Sequence, residues 1–164
     1  MPSYIAAWFQ ENLYLLTLSG YSADLFICST PEELSGDAKF RWQFAVDMIY
    51  RGVKCGLMDV WDGQNKSRGT ITYSFNHIKN LAQFDPNSNP ISDPNPASTC
   101  WVGEEIEASE LCHALVKKYD IQNIPMGEVC HPFMAEIELL FEQHGVAWSL
   151  KPLIPVKECT FSPR

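Results

Sequence analysis

Two tetrapeptides carry the same functional groups in the same order: Glu110-Leu-Cys-His113 and Glu128-Val-Cys-His131. On a helix, Glu-x-x-His sets a carboxylate and an imidazole on one face. Two such helices with two further glutamates build the di-iron carboxylate site of ferritin-like bundles. Glu105, Glu136 and Glu142 are the acids that would complete it. The chain direction opposes this reading. Pro132 follows His131, and a residue ahead of proline avoids helical geometry, so Glu128 and His131 are expected in the loop before a helix. Pro125 also lies between the two motifs and leaves too little chain for two long facing helices. Cys112, His113, Cys130 and His131 carry zinc-binding atoms, yet structural zinc ligands are spaced by about two to four residues, and adjacent Cys-His lacks that spacing. The simpler expectation is that Cys112 and Cys130 are core thiols and that the histidines face polar surroundings.

A cysteine nucleophile needs a histidine base and a third group to orient it, and no local motif marks one here. A glycine-rich phosphate loop, a G-x-S-x-G elbow and H-E-x-x-H are all absent from the sequence. Asp59-Val-Trp-Asp62-Gly63 lacks the alternating oxygen ligands and final glutamate of a calcium loop and reads as a hairpin turn. Two acidic clusters remain: Glu104, Glu105, Glu107 and Glu110, and Glu136, Glu138 and Glu142. Such clusters are usually solvated helix faces; as a functional surface they would meet the lysines and arginines of a partner. Trp61, with Asp62 beside it, Trp101 and Tyr73 lie next to polar turns and are the aromatic candidates for anchoring that partner.

These groups must be positioned by a small number of elements. Ile5, Trp8, Phe9, Leu13 and Leu16 follow helical spacing. Residues 21–28 are aromatic and β-branched enough for a short strand, and Pro31 opens a short helix interrupted by Gly36. The clearest helix runs from Asp37 to Arg51, with Gly52 placed to end it. Alternation from Val53 to Trp61 predicts a strand turning at Asp62-Gly63. Ser74 is expected to cap a helix over 75–84. Residues 85–98 are crowded with proline, asparagine and serine and read as a long exposed loop. Ser109 or Ala108 opens a helix to Lys118, and Pro132 opens another ended by Gly145. Residues 146–156 read as a terminal strand or extended segment, limited by Pro152 and Pro155 to a sheet edge.

At 164 residues the chain is long enough for one core without staples. Its 46% apolar share excludes a disordered chain. The expectation is a helix-rich α+β single domain over 1–164 with a small sheet. A net charge of −8 repels phosphate backbones, so direct nucleic-acid binding is not expected and cationic partners are favoured. The first residues lack a basic secretory segment and no apolar run is long enough for a membrane helix, which predicts a cytoplasmic protein that does not engage the membrane. The six cysteines form no C-x-x-C pair and are expected to be reduced and mostly buried.

The segment Ala38-Lys-Phe-Arg-Trp-Gln-Phe-Ala-Val-Asp-Met-Ile-Tyr-Arg-Gly-Val-Lys-Cys-Gly-Leu-Met-Asp-Val-Trp-Asp62-Gly63 resembles small bacterial immunity proteins, in which an amphipathic helix ends at glycine and runs into a short strand. Size, acidity and the missing catalytic motifs are similar too. The resemblance implies a protein that binds and neutralises a toxin domain, often a basic nuclease, without cofactor. It supplies no contact residue.

The leading expectation is therefore a non-catalytic acidic inhibitor of a basic toxin domain, with Glu104, Glu105, Glu107, Glu110, Trp61, Asp62 and Trp101 as partner-binding candidates. The alternatives are a metal-dependent or cysteine enzyme built on Glu110/His113 and Glu128/His131, and a structural or adaptor subunit.

Overall fold

Helical spacing of large apolar side chains sets the main elements of the computed structural model, which describes residues 1–34, 37–62, 67–86 and 100–157. Helix α1 (Ser3–Leu18) buries Ile5, Trp8, Phe9, Leu13 and Leu16 along one side, as the spacing predicts. Strand β1 is only Tyr21–Ser22, and the rest of the expected strand is a helix, α2 (Asp24–Cys28). The aromatic content of this stretch marks packing rather than extension: Phe26 is fully buried and its ring meets those of Trp8 and Tyr21.

Helix α3 (Ala38–Lys54) starts where expected, with the Asp37 carboxylate accepting from the Phe40 N–H. It runs through Gly52 and ends before Gly56, whose φ of 69° only glycine adopts without strain. Gly52 serves a different purpose. A β-carbon there would stand 2.4 Å from the Met58 sulfur, so glycine lets the helix lie directly against strand β2 (Met58–Asp62). The strand therefore begins five residues later than alternation alone predicts. Strand β3 (Ser67–Arg68) returns antiparallel to β2, pairing Trp61 with Arg68, so the hairpin expected after Asp62 exists; its connecting residues lie outside the described ones.

Helix α4 (Ile71–Gln83) is capped by Thr70, whose hydroxyl accepts from Tyr73 N–H, and not by Ser74. Ser74 is buried, with its hydroxyl 3.4 Å from the Val60 amide nitrogen. Most of the expected loop over 85–98 lies outside the described residues. Glu105–Ala108, part of a charge run of the kind that usually marks a solvated helix face, form a strand, β4, inserted between β1 and β2 to give the antiparallel order β1-β4-β2-β3. Helix α5 (Glu110–Lys118) is capped by Ser109, which accepts from Cys112 N–H while its own hydroxyl donates to the Gly56 carbonyl. Helix α6 (His131–Gln143) opens at His131 with Pro132 next and stops before Gly145, φ 70°.

Residues 146–156 form no strand. Their backbone is read by one face of α3, where Gln43, Asp47 and Arg51 recur at helical spacing. The Asp47 carboxylate accepts from the Leu153 and Ile154 N–H groups at 2.9 and 3.2 Å. Gln43 donates to Ile154 O and accepts from Val156 N–H. The Arg51 guanidinium donates to Val146 O and Ser149 O, both at 3.1 Å. With side chains satisfying these backbone groups, no sheet edge is needed.

The helices and the inner sheet face share one core, including Trp42, Ile49, Val60, Ile106, Phe133 and Phe141, each at most 1% exposed. This is a helix-rich α+β domain. Among the described residues no helix is long and apolar enough to cross a membrane.

Candidate functional site

Alternation along β2 and β4 sorts the candidate residues onto two sides. In β2, Met58, Val60 and Asp62 point inward, while Asp59 and Trp61 are half-buried on the outer face. In β4, Ile106 and Ala108 point inward, while Glu105 is exposed and Glu107 half-buried. The antiparallel register sets Asp59 directly opposite Glu107 and Val60 opposite Ile106. Glu110, exposed in the first turn of α5, lies close enough to Asp59 for its charge to be felt there.

The outer face thus collects Asp59 and Trp61 of β2 with Glu105 and Glu107 of β4, and Glu110 stands at the Met58 end of that face. Arg68 on β3 is the cation among them, with Nε 3.2 Å from the Asp59 carboxylate. Among the described residues Glu105, Glu107 and Glu110 make no ion pair. Burial raises the Asp59 carboxyl above the ordinary aspartate range; Arg68 opposes the shift and Glu110 adds to it. Like charges directly opposite in a sheet destabilise the pair. Glu107→Gln is therefore expected to raise folding stability by about 0.2–1 kcal/mol in urea denaturation at neutral pH. A loss of stability would mean that the Glu107 carboxylate is internally compensated.

The remaining candidates turn inward. Trp101 is 2% exposed and its indole N–H donates to Phe84 O at 2.8 Å, so it is a core residue and not a surface anchor. Asp62 is also buried. Glu104 packs between Tyr73 and His77 of α4: His77 Nδ1 lies 2.8 Å from Glu104 Oε2, and the histidine is 3% exposed. The other ring nitrogen, His77 Nε2, is buried without a hydrogen-bond partner among the described residues. Burial pushes the Glu104 carboxyl up, but hydrogen bonding and charge from His77, with the Tyr73 hydroxyl, outweigh it and hold the group below its ordinary range. A depressed carboxyl contributes stability above its unfolded pKa and loses it as pH falls through the folded value. Acidification below the ordinary glutamate range is thus expected to destabilise the protein, and Glu104→Gln to flatten that part of the stability–pH curve. An unchanged curve in the glutamine variant would remove Glu104 from the account.

The second acidic cluster is partly consumed within the fold. Glu136 accepts from Lys118 Nζ at 2.6 Å and from the Tyr119 hydroxyl, and Glu138 pairs with the amino group of Met1.

The two Glu-x-x-His motifs do not converge. Cys112 is buried against Leu13 O and burial pushes its thiol up to about 12, while its neighbours Glu110 and His113 are exposed. Glu128 is exposed ahead of α6, His131 is exposed at the start of that helix, and Cys130 is half-buried with its N–H donated to Gln10. Among the described residues no group of three or more His, Cys, Asp or Glu side chains is arranged to hold a metal ion. No disulfide joins Cys28, Cys55, Cys100, Cys112 and Cys130: two are buried, two half-buried, and Cys28 is exposed.

Sequence reasoning missed the buried His77 and the place of Asp59 on the acidic face. The i, i+2 spacing of Asp59 with Trp61 and of Glu105 with Glu107 carried the second signal. No family model, curated protein or solved structure matches the chain.

Proposed function

We propose that this chain is a non-catalytic, cytoplasmic binding protein of the immunity type, whose outer sheet face takes up the basic surface of a toxin domain. The observation that supports the reading is the register that sets Asp59 opposite Glu107, with Glu105 and Glu110 beside them. Arg68 already answers Asp59, whereas Glu105, Glu107 and Glu110 make no ion pair among the described residues, so an arginine or lysine of a partner brought to them would form charge-assisted hydrogen bonds and relieve the like-charge repulsion. Trp61 adds half-buried aromatic area on the same face and a ring against which a cation can rest. The net charge of −8 steers a basic partner toward the molecule and turns phosphate backbones away.

The test is a binding and protection assay with the product of the neighbouring gene, which this reading expects to be a basic toxin domain. A complex that blocks its toxicity is expected, weakened about tenfold or more by combining Glu105→Gln with Glu107→Gln. A complex indifferent to both changes, or no protection, would refute the proposed surface.

A further inference from the structure

A second concave surface lies away from the sheet, between α1 and residues 121–126. It encloses about 200 Å³ and is lined by Tyr14, Leu15, Ile121, Ile124, Pro125 and Met126, with Gln10 and Glu11 at one side. Apolar walls in contact with water normally close on each other. Here they are braced apart. Gln10 donates to Glu128 O at 2.9 Å and accepts from Cys130 N–H at 2.8 Å, while the Glu11 carboxylate accepts from Gly127 N–H at 2.6 Å. Gly127, with φ 83°, turns the chain at the rim and leaves Met126 90% exposed. A methionine so displayed is flexible and polarisable, suited to close over an apolar group. Leu15, on the opposite wall, is 50% exposed.

Size and charge select the occupant. An apolar cavity of about 150 Å³ accommodates a benzene ring, so this groove fits one aromatic or branched side chain, below the roughly 300 Å³ at which drug-sized ligand pockets begin. The charged residue in its lining is acidic, Glu11, and Asp120 and Glu128 flank the 121–126 wall as exposed carboxylates; no lysine or arginine lines it.

We infer that this groove takes up an aromatic side chain presented by a lysine- or arginine-flanked segment of a protein partner. The inference rests on the proposed function only for the sign of the partner's charge, since the groove and the acidic sheet face are separate surfaces.

The test is an NMR titration of the full chain, labelled at methionine methyls and tryptophan indoles, with three blocked pentapeptides. These carry phenylalanine between two pairs of lysines, alanine between the same lysines, and phenylalanine between two pairs of glutamates. The expected result is a saturable shift of the Met126 methyl with the lysine–phenylalanine peptide, at concentrations about tenfold below those the other two require. The buried Met134 methyl reports that the fold is intact. Leu15→Asp is expected to abolish the shift; Met126→Glu, at an exposed position, followed by calorimetry, gives the same answer if the first variant does not fold. No saturable shift, an equal response to the alanine peptide, or a Met126 signal that changes with protein concentration alone, because a second copy fills the groove, would each overturn the inference. The Trp61 indole keeps the two surfaces apart: Met126 moving while Trp61 ignores both lysine peptides counts against the sheet face, and the reverse counts against the groove.

Discussion

Replacing Arg51 by alanine is expected to remove about 3–5 kcal/mol of folding stability, a large part of the roughly 5–15 kcal/mol available to a domain. The guanidinium is fully buried. It donates to the carbonyls of Val146, Ala147 and Ser149 on the C-terminal segment and to Asp47 O on its own helix, and lies 5.4 Å from the Trp148 ring centre. Burial pulls Arg51 below its usual value against the attraction of Asp47, while burial pushes the Asp47 carboxyl up. Removing the arginine leaves buried carbonyls unpaired and the Asp47 carboxylate without its nearby cation. Lysine keeps the charge and loses the planar fork, so Arg51→Lys should fall between alanine and wild type. Urea denaturation reads the loss, and the NMR signal of the Trp148 indole reads the release of the segment. A loss below about 1 kcal/mol for Arg51→Ala would mean that Gln43, Asp47 and the apolar contacts hold residues 146–157 in place without the guanidinium.

Trp101→Ala carries the next largest expected effect, again about 3–5 kcal/mol, because it empties a fully packed indole site and frees the Phe84 carbonyl. The same substitution separates two roles of a tryptophan beside a polar loop. A surface anchor would leave stability unchanged and abolish partner binding; a core residue lowers the denaturation midpoint first. The structure requires the second outcome, and intact stability after Trp101→Ala would contradict it.

How much of this was legible beforehand depended on whether local pattern or distant partner decided the element. Helix α1, the start of α3, α5 with its Ser109 cap, and α6 with Pro132 and Gly145 follow from spacing and capping chemistry, which act within a few residues. The class of the fold followed from them. The errors fall where a long-range contact overrides local preference. Gly52 looks like a helix stop, but its missing β-carbon answers to Met58. Residues 146–156 look like an edge strand, but side chains of α3 satisfy their backbone. Glu105 to Ala108 look like an acidic helix face because the charge run hides a period of two, and pairing with β1 and β2 makes them a central strand.

The candidate residues divide for the same reason. Glu105, Glu107 and Trp61 share a face, with Glu110 next to it, while Glu104, Asp62 and Trp101 turn inward. One charge run therefore contains both a surface and a half-buried carboxylate paired with the buried His77, a distinction that only strand register reveals.

The central claim is that the outer sheet face steers and holds a basic partner, and association kinetics test it most directly. The measurement is the stopped-flow association rate with the product of the neighbouring gene, for wild type and for the combined Glu105→Gln, Glu107→Gln and Glu110→Gln variant, from low salt to beyond about 0.15 M, where the Debye length is roughly 8 Å. The account predicts slower association in the variant at low salt and a flatter dependence on ionic strength, with a smaller change in dissociation. Equal rates and equal salt dependence for the two proteins would contradict it and leave the face an ordinary solvated one.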